Sequence, residues 1–98
     1  MAKTPTFRLY IASLKHVLFD DEATSVYLDG EDGEYELLPY HRPILGALAE
    51  GDIVISGKES IAIRVGVVMF EKNKCTIIVE EPEEAEPSTV QKTQKTTG

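Results

Sequence analysis

The chain has 98 residues and a formal charge of −7, from 10 Lys and Arg against 17 Asp and Glu. That length holds one domain at most, and a folded part of roughly 80 residues buries only about 60% of its unfolded surface, so a stabilising partner is expected. Ten cations scattered along an acidic chain exclude a phosphate-tracking nucleic-acid protein and a polybasic lipid anchor.

Met1-Ala2-Lys3-Thr4-Pro5-Thr6 has no long apolar stretch behind it and does not read as a signal peptide. Phe7, Leu9 and Ile11 alternate with Arg8, Tyr10 and Ala12, the period of a half-buried strand. Ser13 to His16 reads as a turn. Val17-Leu18-Phe19 is a short apolar run, Asp20-Asp21-Glu22 an acidic break. Ala23 to Leu28 reads as a strand with Val26 and Leu28 on one face and Ser25 and Tyr27 on the other.

From Gly30 to Leu45 the sequence reads as a long irregular segment carrying four acids, two glycines, two prolines, His41 and Arg42. Segments of this kind carry function more often than they carry packing. Pro39 and Pro43 hold the residues before them extended and remove backbone donors. Ile44 to Ala49 is mixed apolar, and Asp52 to Ser56 reads as a strand. Gly57-Lys58-Glu59-Ser60 reads as a hairpin connection. Ile61, Ile63, Val65, Val67 and Met69 continue one period of two, with Gly66 marking a bulge or a close backbone approach. Glu71-Lys72-Asn73-Lys74 is a second hairpin loop, and Cys75 to Glu80 is the last strand. No amphipathic helix is present, and turn signals between short strands predict an all-β sandwich or barrel.

The composition changes after Glu80. Residues 1–82 read as the folded domain, and 83–98 as a disordered acidic and polar tail with too few apolar residues to offset ordering entropy. Cys75 is the only cysteine, which fits a reducing compartment and a soluble cytosolic protein. A lone thiol within an apolar strand run, it reads as an inert strand residue.

Three kinds of chemistry compete for the central segment. Asp29 to Glu34 fails as a calcium loop, because an EF-hand needs acids at positions 1, 3 and 5, Gly at 6 and Glu at 12. Zinc has only His16, His41 and Cys75 to use, none close to another in sequence. A small metal-dependent hydrolase drawing on Glu34, Glu36 and His41 remains a formal alternative, but a sandwich this small offers little sheltered cleft. The third reading is contact. Pro39-Tyr40-His41-Arg42-Pro43 is a rigid corner, and Tyr and Arg are enriched at interface centres. The reading assigns no cofactor, no metal and no small-molecule substrate.

The spacing of Gly30, Gly33, Glu34, Tyr35, Leu37, Pro39, His41, Pro43, Ile44 and Leu45 resembles the signature loop of the epsilon subunit of F-type ATP synthases. The flanks are similar too: Phe7 to Ile11, Val17 to Phe19 with Ala23, Val26 and Leu28, then Ala47-Leu48, Gly51 and Ile53. The resemblance spans about residues 5–81. Glu36 and Tyr40 depart from it, standing where the family has Gly, and Gly or Asn. Arg64-Val65-Gly66 replaces its Ser-Gly-Gly. Typical members continue into a C-terminal helical hairpin, in place of which this chain has its polar tail.

The resemblance implies a flattened ten-stranded β-sandwich. It implies a non-catalytic subunit of the rotating central stalk, joining the gamma subunit to the c-subunit ring, without hairpin-mediated inhibition. The location implied is peripheral, at the cytoplasmic face of a bacterial inner membrane, touching the membrane only through the c ring. It implies c-ring contacts at Glu34 with its neighbours Glu31, Tyr35 and Leu38, and gamma contacts at His41, Arg42 and Pro43. Gly30, Gly33 and Pro39 would shape the loop. A protein–protein adaptor unrelated to ATP synthase is the alternative.

Overall fold

A computed structural model describes residues 4–82. The expectation of a disordered tail over 83–98 lies outside the described residues. Nine strands form: β1 (Phe7–Ala12), β2 (Val17–Ala23), β3 (Val26–Gly30), β4 (Gly33–Leu37), β5 (Ile44–Leu48), β6 (Gly51–Ile55), β7 (Ser60–Ile63), β8 (Val65–Glu71) and β9 (Lys74–Glu80). The resemblance implies ten, and nine are found among the described residues.

The strands run in the order β2-β1-β9-β8-β5-β3-β6-β7, with β4 on β3. β5 meets β3 at a single pair, Gly30 with Leu48, and the sheet folds over at that narrow junction. One layer is β2-β1-β9-β8-β5 and the other β4-β3-β6-β7. Between them pack Phe7, Leu9, Ile11, Cys75, Ile77, Val68 and Phe70 from the first layer. Val26, Leu28, Leu37, Ile53, Ile55 and Ile63 come from the second. Alternation drives this arrangement: on each strand every second side chain leaves water, at about 1.5–3 kcal/mol for a fully buried large apolar residue.

Four local expectations are corrected. First, Asp20, Asp21 and Glu22 do not break a strand; they lie inside β2. β2 is an edge strand, so its acids face solvent or the open side. Asp21 shares a face with the buried Leu9, and its carboxylate reaches Lys58 Nζ of the β6–β7 turn at 3.8 Å. An inward-pointing charge of this sort discourages edge-to-edge pairing.

Second, Ser25 does not share the outer face with Tyr27. It sits in the bend before β3 and is buried, its carbonyl accepting from Ser56 N. Third, the central segment is not irregular throughout. Glu31-Asp32 is a two-residue connection between Gly30 and Gly33, and β4 follows at once in antiparallel register on β3.

Fourth, the period of two does not run unbroken from Ile61 to Met69. β7 buries Ile63, but β8 buries Gly66, Val68 and Phe70 and turns Val65, Val67 and Met69 outward. The phase slips at Arg64, a one-residue corner whose N–H donates to the Glu80 carbonyl and whose guanidinium pairs with the Glu80 carboxylate. Gly66 is the close backbone approach its type predicts: a Cβ there would stand 2.9 Å from the Ile78 carbonyl oxygen.

Candidate docking interface

The β3–β4 hairpin carries Asp29, Glu31, Asp32, Glu34 and Glu36 and no cation. Its bend depends on two glycines. Gly33 has φ +130°, a conformation that side chains rarely adopt. Gly30 lies under Tyr35, whose Cε1 would stand 2.6 Å from a Cβ at that position. The Tyr35 ring crosses from Gly30 to Gly46 of β5, and its half-burial raises the phenol pKa above the ordinary value. Glu31 N–H donates to the Ala47 carbonyl. The hairpin is thus bound to the end of β5, while Glu31, Asp32 and Glu34 stay exposed and Glu36 is half-buried opposite Tyr27.

The segment 38–43 sits at the other end of β5. His41 N–H donates to the Leu38 carbonyl at 3.2 Å, closing a turn with Pro39 second and Tyr40 third. Tyr40 has φ 65°, which makes this a type II turn at a position that favours Gly or Asn. The Tyr40 amide donates to Asn73 Oδ1 at 2.7 Å. Asn73 itself has φ 60° in the two-residue β8–β9 turn. Its Nδ2 donates to the Thr6 carbonyl at 2.9 Å and its carbonyl accepts from Arg8 N–H. One residue therefore welds three chain segments together. His41 packs edge-on to Phe70 with centroids 5.9 Å apart, and its Nδ1 lies 2.8 Å from the Arg42 carbonyl. Leu38, Arg42 and Pro43 are exposed.

Between these two ends lies the outer face of β5, β8 and β9. Leu45 stands beside Met69, and Ala47 beside Val67, which pairs on with Ile78. Leu45 is 80% exposed, Val67 50%, Met69 43% and Ile78 42%. No charged side chain interrupts this group. Charges stand at its ends, Glu71 and Lys74 at one and Arg64 and Glu80 at the other. An apolar centre with a charged rim is the anatomy of a protein interface.

The model of the ATP synthase, Delta/Epsilon chain, beta-sandwich domain matches residues 6–85. The chain belongs to this family. It is 38% identical over 77 residues to the ATP synthase epsilon chain of a Sulfurovum species, covering 74% of this chain and 60% of that one. It is 37% identical over 79 residues to the epsilon chain of a Nitratiruptor species, with 76% and 61% covered. The chain thus spans about three-fifths of the length of these curated relatives. Its fold matches a chain in the central stalk and c-ring structure of the Tetrahymena thermophila mitochondrial ATP synthase. There the TM-score is 0.69 at 12% identity, covering 82% of this chain and 67% of that one. A chain of the Euglena gracilis mitochondrial enzyme gives 0.70 at 16%, covering 82% and 54%.

In this delta/epsilon-type sandwich the residues drawn together for hydrolysis take separate positions. Glu34 and Glu36 lie on β4 opposite Asp29 and Tyr27, while His41 lies in the turn with its ring against Phe70. No cluster of three or more His, Cys, Asp or Glu able to hold a metal occurs among the described residues. Ser13, His16 and Glu81 do bring a hydroxyl, an imidazole and a carboxylate together. Both Ser13 Oγ (2.5 Å) and His16 Nδ1 (2.9 Å) address Glu81 Oε2, so the imidazole is not placed to take the serine's proton. Cys75 is fully buried, and desolvation pushes its thiol up to about 12, which fits the inert strand residue expected.

The contact between Ser13, His16 and Glu81 ties the β1–β2 turn to the end of β9. The Ser13 hydrogen bond first, and the His16 contact second, hold the Glu81 carboxyl below the usual range. A depressed carboxylate pKa stabilises the fold above the unfolded-state value and loses that contribution as pH falls through the folded one. Ser13→Ala should move the Glu81 titration upward, towards the ordinary carboxylate range, in a carboxyl-detected NMR pH series. An unmoved titration would show that the hydroxyl is not the cause.

The sequence singled out the hairpin and the turn but missed Asn73, which residues form the outer apolar face, and the link from Ser13 to Glu81. Only Asn73 left a signal: Lys72-Asn73 between strand runs is a type I′ turn pair, with an amide side chain to spare.

Proposed function

We propose that this chain is a non-catalytic rotor subunit of an F-type ATP synthase, joining the gamma subunit to the c ring and carrying ion-driven rotation towards ATP synthesis. Its place is peripheral, at the cytoplasmic face of a bacterial inner membrane, with the membrane reached only through the c ring. The observation that carries the reading is the spacing of two rigid contact elements across β5. The acidic hairpin tip lies at the strand's Leu48 end and the Pro39–Pro43 turn at its Ile44 end, about 15 Å apart along a five-residue strand. A subunit that touches two partners at once needs such a separation, held stiffly. Family membership and the central-stalk structures among its fold matches support the same reading.

Glu31 and Glu34 are assigned to the c ring, with Tyr35 bracing the hairpin against β5; Leu38, expected beside them, opens the turn at the opposite end of β5. His41, Arg42 and Pro43 are assigned to gamma, together with the outer apolar face of β5, β8 and β9. Exposed ion pairs give only about 0.2–1 kcal/mol each, so the acids orient the contact and the apolar face supplies most of the affinity.

Single cysteines at Glu34 and at His41, in the assembled enzyme, test this assignment by disulfide trapping. Buried Cys75 stays silent in the background. The expected products are Glu34→Cys with a c subunit and His41→Cys with gamma. Trapping of both positions to gamma alone would contradict the division, and trapping to neither would overturn the rotor assignment.

A further inference from the structure

Seven cations fall within the described residues, and their partners divide them sharply. Arg8 pairs with Asp20, Lys58 with Asp21 and Arg64 with Glu80, while Lys15, in the β1–β2 turn, has no ion pair among the described residues. Arg42, Lys72 and Lys74 also have no ion-pair partner among the described residues. All three belong to one corner, where the turn of Tyr40 and Arg42 abuts the β8–β9 turn through the Tyr40 amide and Asn73. Glu71 stands opposite Lys74 across that turn, and Asp20, paired with Arg8, lines the same shallow depression as Lys74.

Tyr40 is the second observation. It occupies φ 65°, a left-handed conformation that non-glycine residues adopt only at a cost, yet it is 74% exposed. No hydrogen bond of its hydroxyl and no stacking of its ring occurs among the described residues. The backbone geometry would be easier for glycine, and the ring has no use inside the protein. A strained residue whose side chain serves nothing internal is a candidate for a role outside.

The geometry points to a docking site for an acidic protein segment at this corner, with Tyr40 as its aromatic anchor and Arg42, Lys72 and Lys74 as its charge complement. Charge decides the class of partner. The chain is strongly acidic as a whole, and this corner carries three cations without an ion pair among the described residues, beside an exposed Tyr40 whose backbone is tied to Asn73. Tyr and Arg dominate interface hot spots, and a turn tied down by Asn73 loses little entropy when it docks. The inference rests on the rotor reading, since Arg42 lies within the surface assigned to gamma. It adds Tyr40, Lys72 and Lys74 to that surface and makes the facing segment of gamma acidic.

The test is binding of the full chain to its cognate gamma subunit by biolayer interferometry at low and moderate salt. Tyr40→Gly and Tyr40→Asn both suit the turn and should melt no lower than the parent. Each should weaken binding about tenfold or more. Lys72→Glu/Lys74→Glu should weaken it too and flatten its salt dependence, while Glu59→Gln, exposed in the β6–β7 turn, leaves it unchanged. If gamma binds the parent and all variants alike, the inference falls and the rotor reading stands. If gamma does not bind the parent, both fall. A labelled single-stranded RNA that binds the parent and is released by Lys72→Glu/Lys74→Glu, with gamma binding unaffected, would overturn the choice of a protein partner.

Discussion

Phe70→Ala should destabilise the fold by about 3–5 kcal/mol, close to the whole stability of a domain this small. Phe70 is fully buried and lies where three parts of the molecule meet. Its ring packs on Phe7 with centroids 5.4 Å apart and planes tilted by 59°, a contact worth about 0.5–1.5 kcal/mol beyond burial. Its other neighbour is the edge of His41, so the substitution removes the floor beneath the turn as well as filling of the core. At about 4–8 °C per kcal/mol, the melting temperature should fall by roughly 12–40 °C in a circular dichroism melt. Leu14→Ala, at a position 99% exposed, is the control and should stay within about 0.5 kcal/mol of the parent. A loss of less than about 1 kcal/mol at Phe70 would contradict its place at the centre of the core.

Val67→Glu should have the opposite profile, with the fold kept and the partner lost. Val67 is half-exposed at the middle of the outer face, between Ala47 of β5 and Ile78 of β9. Glutamate there can reach water in the free protein, so stability should change by no more than about 1 kcal/mol, the span of strand preference. Under a partner the same carboxylate is buried without a counter-charge, at about 2–5 kcal/mol. Binding to gamma should weaken about 30-fold or more, measured by interferometry beside a melting curve. A folded Val67→Glu variant that binds like the parent would remove the outer face from the interface.

The sequence carried much of this architecture because most strands alternate cleanly and the hairpin turns bear their own chemistry. Val26 and Leu28, Ile53 and Ile55, and Cys75, Ile77 and Val79 all point inward as their spacing demands. What it concealed follows physical rules. β4 was hidden because Glu34 and Glu36 dilute the alternation of Tyr35 and Leu37, as an edge strand permits. β2 was hidden for the same reason, by acids that blunt an edge. The phase slip at Arg64 cannot be seen from period alone, since a one-residue corner shifts every later side chain to the other face. That slip turned Val65, Val67 and Met69 from expected core into exposed surface. The welds at Asn73 and Glu81 join residues far apart in sequence, and no local pattern announces such meetings. Of the two departures from the family's loop, Glu36 fits an ordinary strand position, whereas Tyr40 occupies the left-handed conformation that glycine would suit.

β1 and β9 lie side by side in parallel, Leu9 beside Cys75 and Ile11 beside Ile77, so the first strand closes against the last. During synthesis β1 must wait for nearly the whole domain before its central neighbour exists, and such distant pairing makes folding slow. The outer face needs β9 as well, because Ile78 is part of it. A chain that stops short of β9 therefore lacks both the inner neighbour of β1 and the Ile78 part of the outer apolar face.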